Sequence, residues 1–251
     1  MILRYGRRID SSLCAADIVK SDYRTAQVFR KYGIEYCCGI KLPIKLICEN
    51  RGIELNNLQK ELADASRRIY ISNQLDFDSW KTDFLTDYIV NVHHAYLRKS
   101  LPMIQDQLEK FVAEHVKRIP QLEELKSHFS HLKAMMIPHL RQEEEIIFPY
   151  IKQISHAYES KETYASLLVR TLRKPVEAMM NHEHESLEKL IYQFRKLTNN
   201  YTAPESACTS HRLTFSYLQE LDQDMVQHLF LENELLFPKA IAMEKELLKA
   251  S

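Results

Sequence analysis

The chain has 251 residues, with 34 lysines and arginines, 34 aspartates and glutamates, and a formal net charge of zero. It shows no excess of the basic residues that nucleic-acid binding needs, so we expect no nucleic-acid partner. Five cysteines in no regular framework argue against a secreted disulfide scaffold, and only four glycines favour helices over tightly turned sheets.

The beginning of the chain, MILRYGRRIDSSLCAADIV, carries positive charges but lacks an apolar run long enough for a signal peptide. No window of the sequence reaches the ~20 apolar residues of a membrane-spanning helix. We therefore expect a protein of the cytoplasm that has no membrane partner.

The N-terminal part of the chain, residues 1–69, is predicted to form a small helical domain. Its helical patterns lie in three short stretches: 15–32, 41–50 and 54–68. This part also holds four of the five cysteines, among them the adjacent pair Cys37 and Cys38. The mixed, polar stretch YISNQLDFDSW at 70–80 is predicted to be a linker.

Residues 80–248 are predicted to form a bundle of four helices, because apolar residues recur there at helical spacing. Three stretches interrupt the pattern: KRIPQ (117–121), SHAYESKETY (155–164) and NNYTAPESA (199–207). They separate four predicted helices: 80–116, 120–154, 164–198 and 205–247. Long helices with short connections favour an up-down-up-down bundle. The predicted fold class is therefore all-α, a four-helix bundle preceded by a small helical domain.

Two stretches of the predicted bundle share one pattern: HLRQEEEIIFP (139–149) and HLFLENELLFP (228–238). Each contains a histidine and a glutamate four positions apart, which places both side chains on one face of a helix. By itself, such a pair is most often a solvent-exposed hydrogen bond. Here two aliphatic residues and a phenylalanine follow each pair, and this apolar setting favours a buried position.

The repeat extends to one histidine on the preceding helix of each pair. His94 lies 45 residues before His139, and His184 lies 44 before His228. In an antiparallel helix pair, residues equidistant from the turn lie at the same height. The midpoints of these pairs fall near 117 and 207, where the helical pattern breaks, and a third midpoint falls near 163. Six side chains are therefore predicted to meet inside the bundle: His94, His139, Glu143, His184, His228 and Glu232.

Four imidazoles and two carboxylates in a bundle core are too costly to be inert, because unpaired buried charges strongly destabilise a fold. A dinuclear metal centre accounts for them if the two glutamates bridge the ions and two histidines complete each shell. With nitrogen and oxygen ligands and no thiolate, iron or manganese fits better than a structural zinc. Such a shell leaves coordination positions open, as reactive metal sites require.

The other histidines are predicted to lie outside this centre. His93 competes directly with His94, and the repeat spacing favours His94. His115 follows His94 by 21 residues, roughly 30 Å along a helix axis, which is too far to share the site. His156 and His211 are predicted to be surface residues.

With these motifs, the chain resembles the iron–sulfur cluster repair di-iron proteins, the RIC (Repair of Iron Centers) or ScdA/YtfE-type family. Residues 17–62, with the Tyr-Cys-Cys-Gly signature at Tyr36–Gly39, resemble the ScdA-type N-terminal domain. The bundle resembles the hemerythrin-like cation-binding domain, and the family's iron ligands fall on the six histidines and glutamates named above. The resemblance covers nearly the whole chain.

The resemblance implies that the protein repairs iron–sulfur clusters damaged by nitric oxide or peroxide. It would donate iron from a labile, glutamate-bridged centre of two non-haem irons, oxo-bridged when oxidised. The implied partners are damaged iron–sulfur proteins, nitric oxide or oxygen as small ligands, and a second copy of the chain in a homodimer. Whether the centre also reduces nitric oxide, and so makes the protein an enzyme, stays open. Cys37 and Cys38 are candidate redox or transfer thiols, with two inert reduced thiols as the alternative.

Three other functions remain open. The main alternative is a hemerythrin-like protein that binds or senses oxygen or nitric oxide, although hemerythrins are richer in histidine and use one glutamate and one aspartate as bridges. Iron storage would need a cage-forming oligomer. An oxidase or oxygenase would have a ligand set richer in carboxylates.

Overall fold

The computed structural model describes residues 9–36, 42–66, 75–161, 167, 169–170 and 183–249. Within these ranges the chain is helical and has no β-strand, and its β-type pairing is an isolated bridge between Cys14 and Pro43. The predicted all-α class is confirmed. By internal contacts the chain divides into two units: Met1–Asn73 with Thr202–Tyr217, and Gln74–Tyr201 with Leu218–Ser251.

The N-terminal unit is built from short helices that share a small apolar core. Its described helices are α1 (Ala15–Ser21), α2 (Ala26–Lys31), α3 (Ile44–Arg51) and α4 (Leu55–Ala65). Helix α3 ends at Gly52, whose φ of 66° lies in the left-handed region that glycine adopts without steric cost. The largest side chains buried in this unit are Ile18, Phe29, Ile44, Leu58 and Leu62.

The bundle unit contains helical runs in which α-helices are joined by π-helical segments. The first run has α5 (Thr82–Tyr88), a π segment (Ile89–His94) and α6 (Ala95–His115). The second has α7 (Leu122–Gln142), a π segment (Glu143–Ile147) and α8 (Phe148–Glu159). The third is described as α9 (Glu183–Leu197). The fourth has α10 (Thr209–Phe230), of which the part from Leu218 onward belongs to this unit, a π segment (Leu231–Leu236) and α11 (Phe237–Lys249).

These runs follow the four predicted helices within a few residues at the described ends. Helix α7 packs on both α6 and α9, while α8 packs on α5 and α11. Pro102 and Pro138 lie inside α6 and α7 without ending them. No helix among the described residues combines the length and apolarity that crossing a membrane requires.

Apolar side chains fill the bundle along its helices. Phe129 on α7 and Phe194 on α9 are fully buried and stack with ring centroids 6.2 Å apart. Around α8 and α11, the Tyr150 hydroxyl donates a 2.5 Å hydrogen bond to the buried Glu244 carboxylate. These packed layers hold the helices at fixed rotation, and this fixes which side chains face the interior.

Candidate metal centre

The bundle widens into π-helical turns where the predicted ligands lie. His94 ends the first π segment, Glu143 begins the second, and Glu232 lies in the third. Short π segments within α-helices are frequent at functional sites. In the second and fourth runs, proline follows the wide turn at Pro149 and Pro238, where a normal α turn would bring the ring against an earlier carbonyl. Helical periodicity predicts regular α-helix here, and the repeated proline is the sequence signal of the wider turn.

The structure brings all six predicted side chains together. They form two groups that share both glutamates: His94, Glu143, His228 and Glu232, and His139, Glu143, His184 and Glu232. Within each group the candidate ligand atoms lie within 4.8 Å of one another. All six residues are buried, with at most 6% of their surface exposed.

The Glu143 carboxylate directs one oxygen toward each histidine pair. Its Oε2 lies 3.4 Å from His94 Nε2, while its Oε1 lies 3.3 Å from His139 Nε2 and 3.8 Å from His184 Nε2. Most of these separations are long for hydrogen bonds but normal for atoms that share a metal ion, since each ligand then lies about 2 Å from the metal.

The Glu232 carboxylate is arranged in the same way. Its Oε1 lies 2.8 Å from His228 Nε2 and 3.8 Å from His94 Nε2, and its Oε2 lies 3.7 Å from His184 Nε2. Both carboxylates therefore span the two histidine pairs, as the bridging ligands of a dinuclear centre do. The buried Oε2 atoms of Glu143 and Glu232 make no hydrogen bond within the described residues.

The charges of this cluster are balanced internally. Burial disfavours charge on both Glu143 and Glu232, yet the surrounding imidazoles hold the pKa of each carboxyl below its ordinary value. Burial also opposes the imidazolium forms, but the carboxylates outweigh it and raise the pKa of His94 to about 10 and of His184 to about 9. Protons thus take the place of cations here, and a bound metal would displace them.

Each repeat also supplies an aromatic wall. His94 stacks on Phe148 at 5.5 Å between ring centroids, and His184 packs against Phe237 at 6.0 Å. These phenylalanines are the F of the IIFP and LLFP repeats. The apolar part of the sequence repeat therefore shields the two histidines and fixes the planes of their rings.

A family model described as "Hemerythrin HHE cation binding domain" matches residues 86–240, more than half of the chain. The chain belongs to this family. A second model, described as "Domain of Unknown function (DUF542)" and named ScdA_N, matches residues 14–66. The family resemblance found in the sequence is confirmed by both matches, and a buried cluster of four histidines and two glutamates suits a cation-binding domain that holds two metal ions.

Similar proteins include curated iron–sulfur cluster repair proteins. The protein named iron-sulfur cluster repair protein YtfE from Enterobacter sp. (strain 638) is 28% identical over 231 residues, 91% of this chain and 96% of that protein. The one from Edwardsiella ictaluri is 29% identical over 87% and 91% of the two chains. A probable iron-sulfur cluster repair protein from Haemophilus influenzae is 28% identical over 86% and 90%.

The other described histidines of this hemerythrin-family chain lie outside both groups. His93 is buried, but its Nδ1 lies 2.9 Å from Asp224 Oδ1 and its ring stacks on His228 at 5.7 Å. His115 bonds through Nδ1 to the Phe111 carbonyl near the end of α6. The surface prediction for His211 was wrong, because this residue is 6% exposed and packs edge-on against Phe215.

The adjacent cysteines Cys37 and Cys38 lie outside the described residues, so their assignment as redox or transfer thiols stays a prediction. Of the described cysteines, Cys48 is buried, and burial raises the pKa of its thiol. Cys14 lies with its sulfur 3.0 Å from the Asp17 carboxylate. The charged groups that act on Cys48, Glu49 and Glu54, are acidic and disfavour the thiolate form that makes a cysteine reactive.

Proposed function

We propose that this protein binds two iron ions through His94, His139, Glu143, His184, His228 and Glu232, and that it repairs damaged iron–sulfur clusters by giving up this iron. The observation that carries the proposal is the pair of buried carboxylates that each face both histidine pairs. The names of the similar proteins support cluster repair as the biological role.

The donor set supports iron as the metal. Imidazole nitrogens and carboxylate oxygens suit first-row ions such as iron and manganese, while thiolates, which favour copper(I), zinc and clusters, are absent from the two groups. Iron is favoured over manganese because cluster repair consumes iron. When bound, the two irons would supply both the transferable metal and an open coordination position for nitric oxide or oxygen.

The surroundings of the site support a centre that can release its metal. Without metal, the raised pKa values of His94 and His184 place protons beside the two carboxylates, so the emptied site is not left with unpaired negative charge. The bundle around it is held by apolar packing that does not depend on the ions. The fold would therefore persist when iron leaves for a damaged cluster.

Several finer parts of the proposal rest on the family resemblance alone. These are an oxo bridge in the oxidised centre, reduction of nitric oxide, and a homodimer, while the proposed division into domains 1–69 and 80–248 rests also on helical periodicity and the polar linker. Transfer of nitric oxide or iron through Cys37 and Cys38 is likewise a proposal. The variant Cys37→Ser/Cys38→Ser tests it: it should keep its iron but lose most of its repair activity.

The metal content of the purified chain tests the centre directly. We expect two irons per chain when the protein is purified without oxygen. The double variant Glu143→Gln/Glu232→Gln should retain less than one, with an unchanged helical circular dichroism signal. The matched control is Glu145→Gln/Glu234→Gln, which removes the same charge from exposed positions of the same π segments. Iron retained by the first variant, or lost by the control, would refute the proposed ligands.

Repair itself is tested with an enzyme whose [4Fe–4S] cluster has been damaged by nitric oxide. The iron-loaded protein should restore its activity in the absence of other added iron, and the Glu143→Gln/Glu232→Gln variant should not. Equal recovery with the variant, or none with the loaded protein, would show that the centre serves another function, such as binding or sensing of a small gas.

A further inference from the structure

The two histidine pairs differ at one repeat-related position. Glu144 follows the bridging Glu143, and Asn233 follows the bridging Glu232, so the repeats read Glu-Glu and Glu-Asn here. The Glu144 carboxylate lies 2.7 Å from His94 Nδ1. Asn233 Oδ1 lies at the same distance, 2.7 Å, from Nδ1 of the equivalent histidine, His184. The same hydrogen bond is thus made to a charged group in one half and to a neutral group in the other.

These hydrogen bonds face away from the metal groups. The Nε2 atoms of His94 and His184 face the glutamates of the cluster, so each Nδ1 carries the proton that it donates outward. A carboxylate that accepts this proton makes the imidazole a stronger metal ligand than a carboxamide does, because hydrogen bonds to charged acceptors are roughly twice as strong. Changing such an outer partner typically alters metal affinity about 10- to 100-fold.

Glu144 is held in place by a cation on the neighbouring helix. The Arg98 guanidinium on α6 forms an ion pair with the same Oε1 atom that accepts from His94. The Nδ1 atom of His228 makes no comparable hydrogen bond to the described residues. The carboxylate on His94 and the carboxamide on the equivalent His184 therefore distinguish the two groups at this position.

Burial distinguishes the two pairs in the same direction. His94 and His228 are both 0% exposed, whereas His139 and His184 retain 6% and 5% of their surface. Water therefore has more access to the second pair, where it would have to replace the ligands of a departing ion. The greater exposure of the second pair and its weaker outer hydrogen bond are separate observations, and each weakens metal binding at this position.

We infer that the metal position of His139 and His184 is the one that gives up its ion first, and that Glu144 and Asn233 set this order. The inference rests on the proposed function and deepens it by naming which ion is transferred. The position of His94 and His228 would retain its ion and keep the site organised, while the position of His139 and His184 would supply iron. Glu144 and Asn233 act as positioning residues through the histidines that they hold.

The order of release is measured on reduced protein loaded with two Fe(II) ions, mixed without oxygen with excess of a chromogenic Fe(II) chelator. We expect two phases of equal amplitude, with the first at least about 10-fold faster than the second. The variant His184→Ala should keep one ion that leaves at the slow rate. The variant His94→Ala should keep one ion that leaves at the fast rate.

Two isosteric variants test the cause of the order. Asn233→Asp should slow the fast phase about 10-fold, and Glu144→Gln should speed the slow phase by a similar factor. Gln142→Glu and Glu145→Gln change charge at exposed positions beside the site and should leave both phases unaltered. Circular dichroism checks that each variant is folded. If one of the two test variants does not fold, the other alone decides whether the outer hydrogen bonds set the order of release.

The outcomes separate the inference from the proposed function. Two bound irons that leave in one phase, or phases that Asn233→Asp and Glu144→Gln do not shift, would overturn the inference and leave the dinuclear centre intact. Release first from the His94 pair would overturn it too. A wild-type chain that takes up no iron would refute the proposed function, and the inference with it.

Discussion

Asp222 on α10 is predicted to be one of the most sensitive positions of the bundle outside the candidate metal centre. This residue is 4% exposed and accepts three short hydrogen bonds. Two come from Arg195 on α9, from Nε at 2.6 Å and from Nη2 at 2.5 Å, and one comes from the Tyr201 hydroxyl at 2.6 Å. Burial and the Asp222 carboxylate together raise the pKa of Tyr201, so the hydroxyl stays a donor at neutral pH.

The contacts among Asp222, Arg195 and Tyr201 also stabilise an unusual stretch of backbone after α9. Asn199, Asn200 and Tyr201 have φ values of 49°, 51° and 59°, in the left-handed region that costs a residue with a side chain about 1 to 2 kcal/mol. Asparagine tolerates this conformation better than tyrosine does. The hydrogen bond from Tyr201 to Asp222 therefore stabilises a strained end of the connection between α9 and α10.

Replacing Asp222 by alanine should cost about 2 to 4 kcal/mol of unfolding free energy. An exposed ion pair contributes about 0 to 1 kcal/mol, and breaking a fully buried one costs about 3 to 5. The Asp222 pair lies between these limits, because the Arg195 side chain is 42% exposed while the carboxylate is buried. Tyr201→Phe removes only one hydrogen bond and should cost about 1 kcal/mol.

Urea unfolding monitored by tryptophan fluorescence measures these effects. The chain has a single tryptophan, Trp80, which packs against Phe77 and Tyr88 in the bundle unit and so reports on that unit. A loss below about 0.5 kcal/mol for Asp222→Ala, the size of an ordinary surface substitution, would refute the reasoning. So would a Tyr201→Phe variant as unstable as Asp222→Ala.

Three further predictions concern packing, backbone conformation and metal. Phe129→Ala should lower the free energy of unfolding by about 3 to 5 kcal/mol, because its ring is fully buried against Phe194. The control Tyr192→Ala, at a position 64% exposed, should change it by no more than about 0.5 kcal/mol in the same urea titration. Gly52→Ala should lower the free energy of unfolding by about 1 to 2 kcal/mol. This cost comes from the left-handed φ alone, since an added Cβ meets no atom within 4 Å. An unchanged stability in thermal unfolding would contradict this. Removing metal with a chelator should lower the midpoint of thermal unfolding. Metal at 100 times its dissociation constant stabilises the fold by about 2.7 kcal/mol per site. An unchanged midpoint would contradict binding of metal to the folded state.

Much of the candidate centre was predictable because its residues obey two simple rules. A histidine and a glutamate four positions apart share a helix face, and residues equidistant from a turn share a height in an antiparallel pair. Applied to the HxxxE repeats and their turns, these rules predicted that six side chains meet, and the structure brings those six together. The all-α class followed in the same way from helical periodicity and few glycines.

Other features were not predictable, because they depend on how the helices are rotated against one another. His211 looked like a surface residue in the sequence, yet packing buries it beside Phe215. The wide π turns at the candidate ligands replaced the regular α-helix that periodicity predicted. A difference of one residue in a turn changes the face that a side chain occupies, and periodicity over long windows does not resolve it.

The sequence by itself determined the helical class, the doubled helix pair and the residues that form the candidate centre, because all three depend on spacing along the chain. Only the tertiary structure decided how the two halves differ. The hydrogen bonds from His94 to Glu144 and from His184 to Asn233 join residues 50 and 49 positions apart. Such contacts depend on the rotation of packed helices to within a fraction of a turn, and this rotation is fixed by the whole core.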